Sequence, residues 1–243
     1  MNTWIRGLAL FCCALILFTP LCVAKDSSEM LKQNSRNTIS LELEFTKKNA
    51  SPLQKVVSFL SWGPNGYASG FLVSDRLVIT AYHVVSGNLD ESKKVALGFG
   101  PRDKLDVRVS TNGCPARVLK IDQEADLALL EICDSPKQLK ALSFQSNIAK
   151  DERVYLIARP HRDKTVSHGT FHGPYSWRGI EYWSIKIDAK DGFSGSPIYN
   201  QQGEIVGVFS GYDWSQKLAI VSPGARAEKL IQEYQPRDNR RLY

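Results

Sequence analysis

Residues 191–197 read DGFSGSP: two glycines, two serines and a proline, directly after a β-type run from Ile180 to Ile187. A Gly/Ser/Pro cluster is a turn signal, and a plain turn is the first reading of it. The alternative is that Ser194 is presented for chemistry. The rest of the chain decides between the two.

Outward from this stretch, short apolar runs alternate with turn residues. The first group of expected strands is Val56–Leu60, Tyr67–Val73, Leu77–Thr80, Lys94–Leu97, Asp106–Ser110, Ala116–Ile121 and Leu127–Ile132. The second is Arg153–Ala158, Thr165–Phe171, Glu181–Ile187, Pro197–Tyr199, Glu204–Ser210 and Lys217–Val221. Strands at this spacing, without helical periodicity between them, point to an all-β fold. Two groups of about six suggest two barrels, joined near Ser135–Ser143. One helix is expected over residues 224–234, with Ser222 as cap and Pro223 at its first position. Ala227, Leu230, Ile231 and Tyr234 then share one face, and Pro236 ends the helix.

The N-terminus has a separate logic. Arg6 is the only charge before Lys25, Gly7–Phe18 is almost wholly apolar, and Cys22-Val23-Ala24 places small residues at a cleavage site. This is the pattern of a secretory signal peptide over residues 1–24, with an uncleaved anchor as the other reading. The apolar run is short of the roughly 20 residues that a membrane span needs. No stable membrane insertion is therefore expected after cleavage. Residues 25–51 are polar, with few aromatics, and read as a flexible leader or pro-segment. The expected organisation is then 52–140 for the first barrel and 141–243 for the second, with its helix and a short tail.

Of five cysteines, Cys12, Cys13 and Cys22 fall in the signal, which leaves Cys114 and Cys133 in an exported chain. Export permits a disulfide. A hairpin turning at Gln123-Glu124 sets the two cysteines opposite each other, clamping the segment that carries Asp126; two free thiols are the alternative. The formal charge of +6 falls to +5 without Arg6. The basic residues are scattered, apart from Arg237, Arg240 and Arg241 near the end. That distribution is a solvated surface rather than a nucleic-acid face, and no nucleic-acid partner is expected.

Three polar residues stand out among the β-runs. His83 follows the alternating strand LVITA, Asp126 opens the apolar run LALLEI, and Ser194 lies in the opening stretch. Taken singly, each has a structural reading: a packed histidine, a turn aspartate bonding its own backbone, a loop serine. Together they occur in the order His, Asp, Ser, 43 and 68 residues apart. An α/β-hydrolase runs Ser, Asp, His around G-x-S-x-G, whereas the final glycine is absent after Ser194-Gly195-Ser196. Subtilisins run Asp, His, Ser. The order found here is that of the chymotrypsin-type proteases.

On SGFLVSDRLVITAYHVV, VLKIDQEADLALLEI and DGFSGSPIYNQQGEIVGVFSG, the chain resembles trypsin-like (chymotrypsin-fold) serine proteases. The likeness is to the bacterial exported branch, with its Deg-type proteases and glutamyl endopeptidases. The resemblance spans about Val56 to Tyr234. It implies two six-stranded antiparallel β-barrels with the active site in the cleft between them, plus a C-terminal helix. It implies His83 as general base, Asp126 as its orienting carboxylate and Ser194 as nucleophile. The backbone N–H groups of Gly192 and Ser194 form the oxyanion hole, and Gly195 allows close packing beside the nucleophile. Ser210 is expected on the strand that pairs with substrate, its hydroxyl also supporting Asp126; an ordinary strand serine is the other reading.

Departures from the family qualify this. Phe193 stands where trypsin-type zymogens carry an aspartate, and no Ile-Val-Gly-Gly start is present, so activation through a new N-terminus is not expected. Deg-type proteases carry a PDZ domain after the helix, for which the nine residues after Tyr234 leave no room. Glutamyl endopeptidases place a histidine where Phe209 lies. His161, His168 and His172 are read as surface or cleft-edge residues, and no metal or other cofactor is expected. By analogy Asp188, six residues before Ser194, forms the floor of the specificity pocket and favours basic residues. Lys190 is placed to neutralise it, and small, apolar or acidic preferences stay open. The function expected is a secreted or periplasmic serine endopeptidase acting on protein or peptide substrates. The alternative is a homologue with weak turnover that serves as a binding protein.

Overall fold

The computed structural model describes residues 27–49, 64–133, 139, 141–177 and 179–234. The segment expected to be a signal peptide, the strand expected at Val56–Leu60, part of the joint near Ser135–Ser143, Pro236 and the basic tail lie outside these residues.

Two antiparallel β units carry the chain. The first is a curled seven-stranded sheet. Its strands are β1 (Thr38–Lys47), β2 (Gly66–Leu72), β3 (Leu77–Ala81), β4 (Leu105–Thr111), β5 (Cys114–Pro115), β6 (Arg117–Asp122) and β7 (Leu127–Glu131), in the spatial order β5-β4-β1-β2-β3-β7-β6. The second is a closed six-stranded barrel of β8 (Arg153–Ala158), β9 (Thr165–Trp177), β10 (Ile180–Lys186), β11 (Pro197–Tyr199), β12 (Ile205–Asp213) and β13 (Leu218–Pro223), ordered β10-β13-β12-β11-β8-β9. The all-β, two-unit architecture with a C-terminal helix is the expected one. The first unit differs in being an open sheet of seven strands.

The largest correction concerns the N-terminal segment. Residues 27–49 are not a flexible leader but form the helix α1 (Ser27–Asn34) and β1. β1 lies inside the first sheet, paired with β2 from Thr38↔Phe71 and with β4 from Glu42↔Ser110. The first unit therefore begins well before residue 52. The reason is in the sequence TISLELEFTK, which alternates Ile39, Leu41, Leu43 and Phe45 with polar residues, as a half-buried strand requires. Leu41, Leu43 and Phe45 are buried. Of the polar set, Thr38, Ser40 and Glu42 are also buried, and the Arg162 guanidinium bonds the Glu42 carboxylate.

A second correction concerns Lys94–Leu97, which is not a strand. Asp90 caps a helix over Glu91–Ala96 by accepting from Lys93 N, and its carboxyl is held below the ordinary range, first by the Ser92 hydroxyl and then by the Lys93 N–H. At the other end of the chain, β13 runs on to Pro223, so the C-terminal helix spans Gly224–Gln232 and Ser222 does not cap it.

Three apolar clusters hold the units together. One lies in the curl of the first sheet and one inside the second barrel. The third lies between them, where Phe71, Ile79, Leu127 and Leu129 meet Ile157, Tyr199, Ile205 and Val208, with Ala227 and Leu230 of the C-terminal helix. This explains the unbroken apolar run of β7. Ala128 and Leu130 point into the first sheet's core, and Leu127 and Leu129 into the interface; a strand covered on both faces does not alternate in polarity. Among the described residues no helix is long and apolar enough to cross a membrane.

Candidate active site

His83 sits on a one-turn helix, Tyr82–Ser86, that follows β3 without a break. The cap residue, Ala81, offers no side-chain acceptor, and the first N–H groups of any helix need one. Asp126 supplies it from the β6–β7 turn. Its carbonyl accepts from Tyr82 N (2.9 Å) and its Oδ1 from His83 N (2.8 Å). Oδ2 then lies 2.8 Å from His83 Nδ1. Asp126 itself has φ 52, a left-handed conformation that aspartate tolerates better than most residues.

The turn that sets this geometry is held from outside the first sheet. The Tyr182 hydroxyl of β10 donates to Glu124 O (2.7 Å). Burial pushes that phenol above its ordinary value, and the Asp126 and Asp122 charges push it further. Arg226 of the C-terminal helix grips Asp122 through Nη2 (2.7 Å) and Nε (3.1 Å).

Ser194 arrives from the second barrel, in the turn between β10 and β11. Its Oγ lies 2.8 Å from His83 Nε2. The His83 and Asp126 side chains are 36% and 16% exposed, so the group is open to a ligand on one side. Two glycines make the turn possible. Gly192 has φ +86, and a Cβ there would press on Pro160 at 2.7 Å. Gly195 has φ +81, and a Cβ there would collide with Thr80 Oγ1 and the Ser69 carbonyl. Both positions therefore demand glycine. Gly195 N donates to Phe209 O (2.8 Å) and Phe209 N to Ser196 O (2.9 Å), which seats the turn on β12. Among the described residues the N–H groups of Gly192 and Ser194 meet no acceptor within the protein. Two free donors beside a serine hydroxyl form the kind of arrangement that stabilises an oxyanion.

The other expected site residues fall out as follows. Asp188 is exposed, so it is not a buried pocket floor, and the argument for basic substrates from an uncompensated buried carboxylate fails. Ser210 is the unpaired residue of a β-bulge between Phe209 and Gly211. Its buried Oγ has no partner among the described residues and does not support Asp126. Cys114 and Cys133 form a disulfide with Cα atoms 5.9 Å apart. It closes the hairpin beyond the last ladder pair, Arg117↔Glu131, in a register displaced by a bulge between Val118 and Lys120. His161 is exposed and packs against Tyr67 with the rings tilted (centroids 3.8 Å apart), and His168 is exposed in an edge-to-face contact with Tyr155. His172 is half-buried. No three His, Cys, Asp or Glu side chains among the described residues come together as metal ligands.

Ser69 and Thr80 were not singled out in the sequence, yet both touch the nucleophile turn's surroundings. Thr80 Oγ1 donates to Ser69 O (2.8 Å) and Ser69 N to Ser194 O (2.9 Å). A buried Ser-Gly pair in the middle of a strand carries no signal of its own; only the fold brings it against residues 192–195.

With this geometry in hand, the likeness to known proteins can be placed. The profile of the trypsin-like peptidase domain matches residues 68–208, which contain His83, Asp126 and Ser194. "Serine protease HTRA1B" of Danio rerio is 30% identical over 152 residues, 58% of this chain and 29% of its own length. "Probable periplasmic serine endoprotease DegP-like" of Pseudomonas fulva is 24% identical, covering 58% of this chain and 28% of its own length. The chain thus spans about a third of the length of the curated relatives it matches. The fold is that of the active form of the Rv3671c protease from M. tuberculosis, at TM-score 0.59 and 17% identity, covering 86% of each chain. The chain belongs to the trypsin-like peptidase family.

Proposed function

We propose that this chain is a secreted or periplasmic serine endopeptidase that cleaves protein or peptide substrates through an acyl-enzyme. The observation that carries the reading is one continuous relay: Asp126 Oδ2 at 2.8 Å from His83 Nδ1, and His83 Nε2 at 2.8 Å from Ser194 Oγ. A serine hydroxyl is a weak nucleophile unless a base takes its proton, and the relay supplies that base.

In this mechanism His83 Nε2 accepts the Ser194 proton as Oγ adds to the scissile carbonyl. Asp126 keeps the remaining ring proton on Nδ1 and stabilises the imidazolium. The carbonyl oxygen, now negative, takes hydrogen bonds from Gly192 N–H and Ser194 N–H; removing one such donor typically costs about 10²–10³ in kcat. His83 returns the proton to the leaving amine, and Ser194 is left as an ester. A water then gives its proton to His83, adds to the ester carbonyl and releases the acid, restoring the serine. β12, bonded to the nucleophile turn at Phe209, carries Ser210 beside the path of the substrate backbone. Export rests on the signal-peptide pattern of residues 1–24 and is supported by the name of the Pseudomonas relative.

The test is cleavage of an unfolded protein, followed by new N-termini. Ser194→Ala and His83→Ala each abolish nearly all turnover, and the double variant is scarcely worse than either, because the two act on one proton. Independent, multiplying losses contradict the shared-proton mechanism.

A further inference from the structure

We infer that Ser69 is a positioning residue whose hydroxyl fixes the Gly192 carbonyl and, through it, the turn that presents the oxyanion donors. This rests on the endopeptidase reading above and adds a residue to it. Ser69 lies on β2, in the first sheet, and is fully buried. Every polar group it has is engaged. Its N–H donates to Ser194 O (2.9 Å), its carbonyl accepts from Thr80 Oγ1 (2.8 Å), its Oγ lies 2.9 Å from Gly192 O and accepts from Arg159 N at 3.0 Å.

The direction of these bonds is forced. Arg159 N–H can only donate, so the single hydroxyl proton of Ser69 goes to the Gly192 carbonyl. The consequence lies in the two residues that Ser69 holds. The carbonyls of Gly192 and Ser194 are both taken by Ser69, while the N–H groups of the same two residues are the ones left without an acceptor. One residue of the first sheet thereby anchors the Gly192–Phe193 and Ser194–Gly195 peptides, which flank the Phe193–Ser194 peptide carrying one donor and adjoin, at Gly192, the Asp191–Gly192 peptide carrying the other. The Gly192–Phe193 peptide is further tied by Phe193 N to Lys190 O (3.2 Å).

This anchoring matters because Gly192, at φ +86, has no side chain to define its conformation. Glycine accepts either sign of φ, so Gly192, once its carbonyl is released, is free to reorient and to carry the adjoining donor peptides out of place. Ser69→Ala removes the hydroxyl and keeps the backbone bond to Ser194, and so isolates the Gly192 anchor. The second contact of the hydroxyl extends the network. Arg159, whose N–H bonds Ser69, also donates from Nη2 to Ser35 O (3.1 Å), so the N-terminal segment reaches the oxyanion turn through two residues.

The experiment compares wild type with Ser69→Ala in turnover of a peptide substrate and in affinity for two peptides that differ only at the end: an aldehyde, which forms a hemiacetal oxyanion with Ser194, and the matching alcohol, which does not. Ser69→Ala lowers kcat by about 10–100-fold, less than the roughly 10²–10³ lost when a donor is removed outright, leaves KM within about threefold, and weakens the aldehyde but not the alcohol. The pH profile keeps its shape, because Asp126 and His83 are untouched. Unchanged kcat and aldehyde affinity overturn the inference, and so does an equal loss for aldehyde and alcohol, which signals general distortion. Where Ser69→Ala does not fold by circular dichroism, Ser69→Cys, a weaker donor of similar size, is read in the same way. Wild type without Ser194-dependent turnover defeats the endopeptidase reading instead, so the two failures are told apart.

Discussion

Asp126 holds His83 at two points with one carboxylate: Oδ1 accepts the backbone N–H at 2.8 Å while Oδ2 faces ring Nδ1 at 2.8 Å. The first bond fixes where the helix carrying His83 begins, and the second fixes how its ring is turned. Asp126→Asn separates these roles. The amide oxygen can still cap the helix, but the amide N–H₂ then faces Nδ1 and drives the ring proton to Nε2, where it blocks acceptance from Ser194. We predict a folded protein with kcat reduced by about 10⁴, read by steady-state kinetics beside circular dichroism. A loss under tenfold contradicts this role.

The placement of β1 predicts that the N-terminal segment belongs to the folded domain. Leu41 is fully buried in the core of the first sheet. Leu41→Ala is expected to cost about 2–5 kcal/mol in urea unfolding, the usual range for a buried leucine, and deletion of residues 27–49 to prevent folding. A dispensable leader would give no change in either measurement.

The disulfide is expected to stabilise without tuning catalysis. Cys114 and Cys133 are 19 residues apart, and closing a loop of that size contributes about 3 kcal/mol in the chain-entropy model. The bond sits at the end of the β6–β7 hairpin away from Asp126. The Cys114→Ser, Cys133→Ser double variant should lose about that much in a denaturant titration, with kcat/KM within about twofold of wild type. A large fall in kcat in the folded variant contradicts this separation.

The β12–β13 turn carries a pH signature. The Asp213 carboxyl is lowered to about 2, chiefly by the Ser215 hydroxyl, then by the Tyr175 hydroxyl and the Gln216 N–H. A depressed folded value means that this contribution is present above the unfolded value of about 3.9 and is lost as pH falls toward about 2. Asp213→Asn should lower Tm at pH 6, and the gap from wild type should close between about pH 4 and pH 2. A gap that is constant across that window excludes the carboxylate as its cause.

The balance of what could be read in advance follows from physics. The strands of the second barrel were legible because each buries one or both faces between clear turn residues, and Arg153–Ala158 and Pro197–Tyr199 match β8 and β11 to the residue. His83, Asp126 and Ser194 were legible through their order and flanking motifs. β1 is hidden although its alternation is strict, because a composition of Thr, Ser, Glu and Lys with few aromatics masks the period. The helix at Glu91–Ala96 was missed with its Asp90 cap in plain view. The exposure of Asp188 and the bulge that leaves the Ser210 hydroxyl away from Asp126 were illegible for another reason: depth and a β-bulge are properties of the packed chain, and spacing along the sequence does not carry them. Ser69 was invisible for the same cause, since its partners lie 90 and 123 residues away.

The account turns on whether Ser194 is a nucleophile activated by its neighbours. The direct measurement is covalent labelling of the folded protein with a fluorophosphonate probe, which reports the activated serine without needing to know the substrate. We predict one label per chain, located on Ser194 by peptide mapping and absent in Ser194→Ala. A folded wild type that takes no label, or a Ser194→Ala variant that labels at the wild-type rate, contradicts the account.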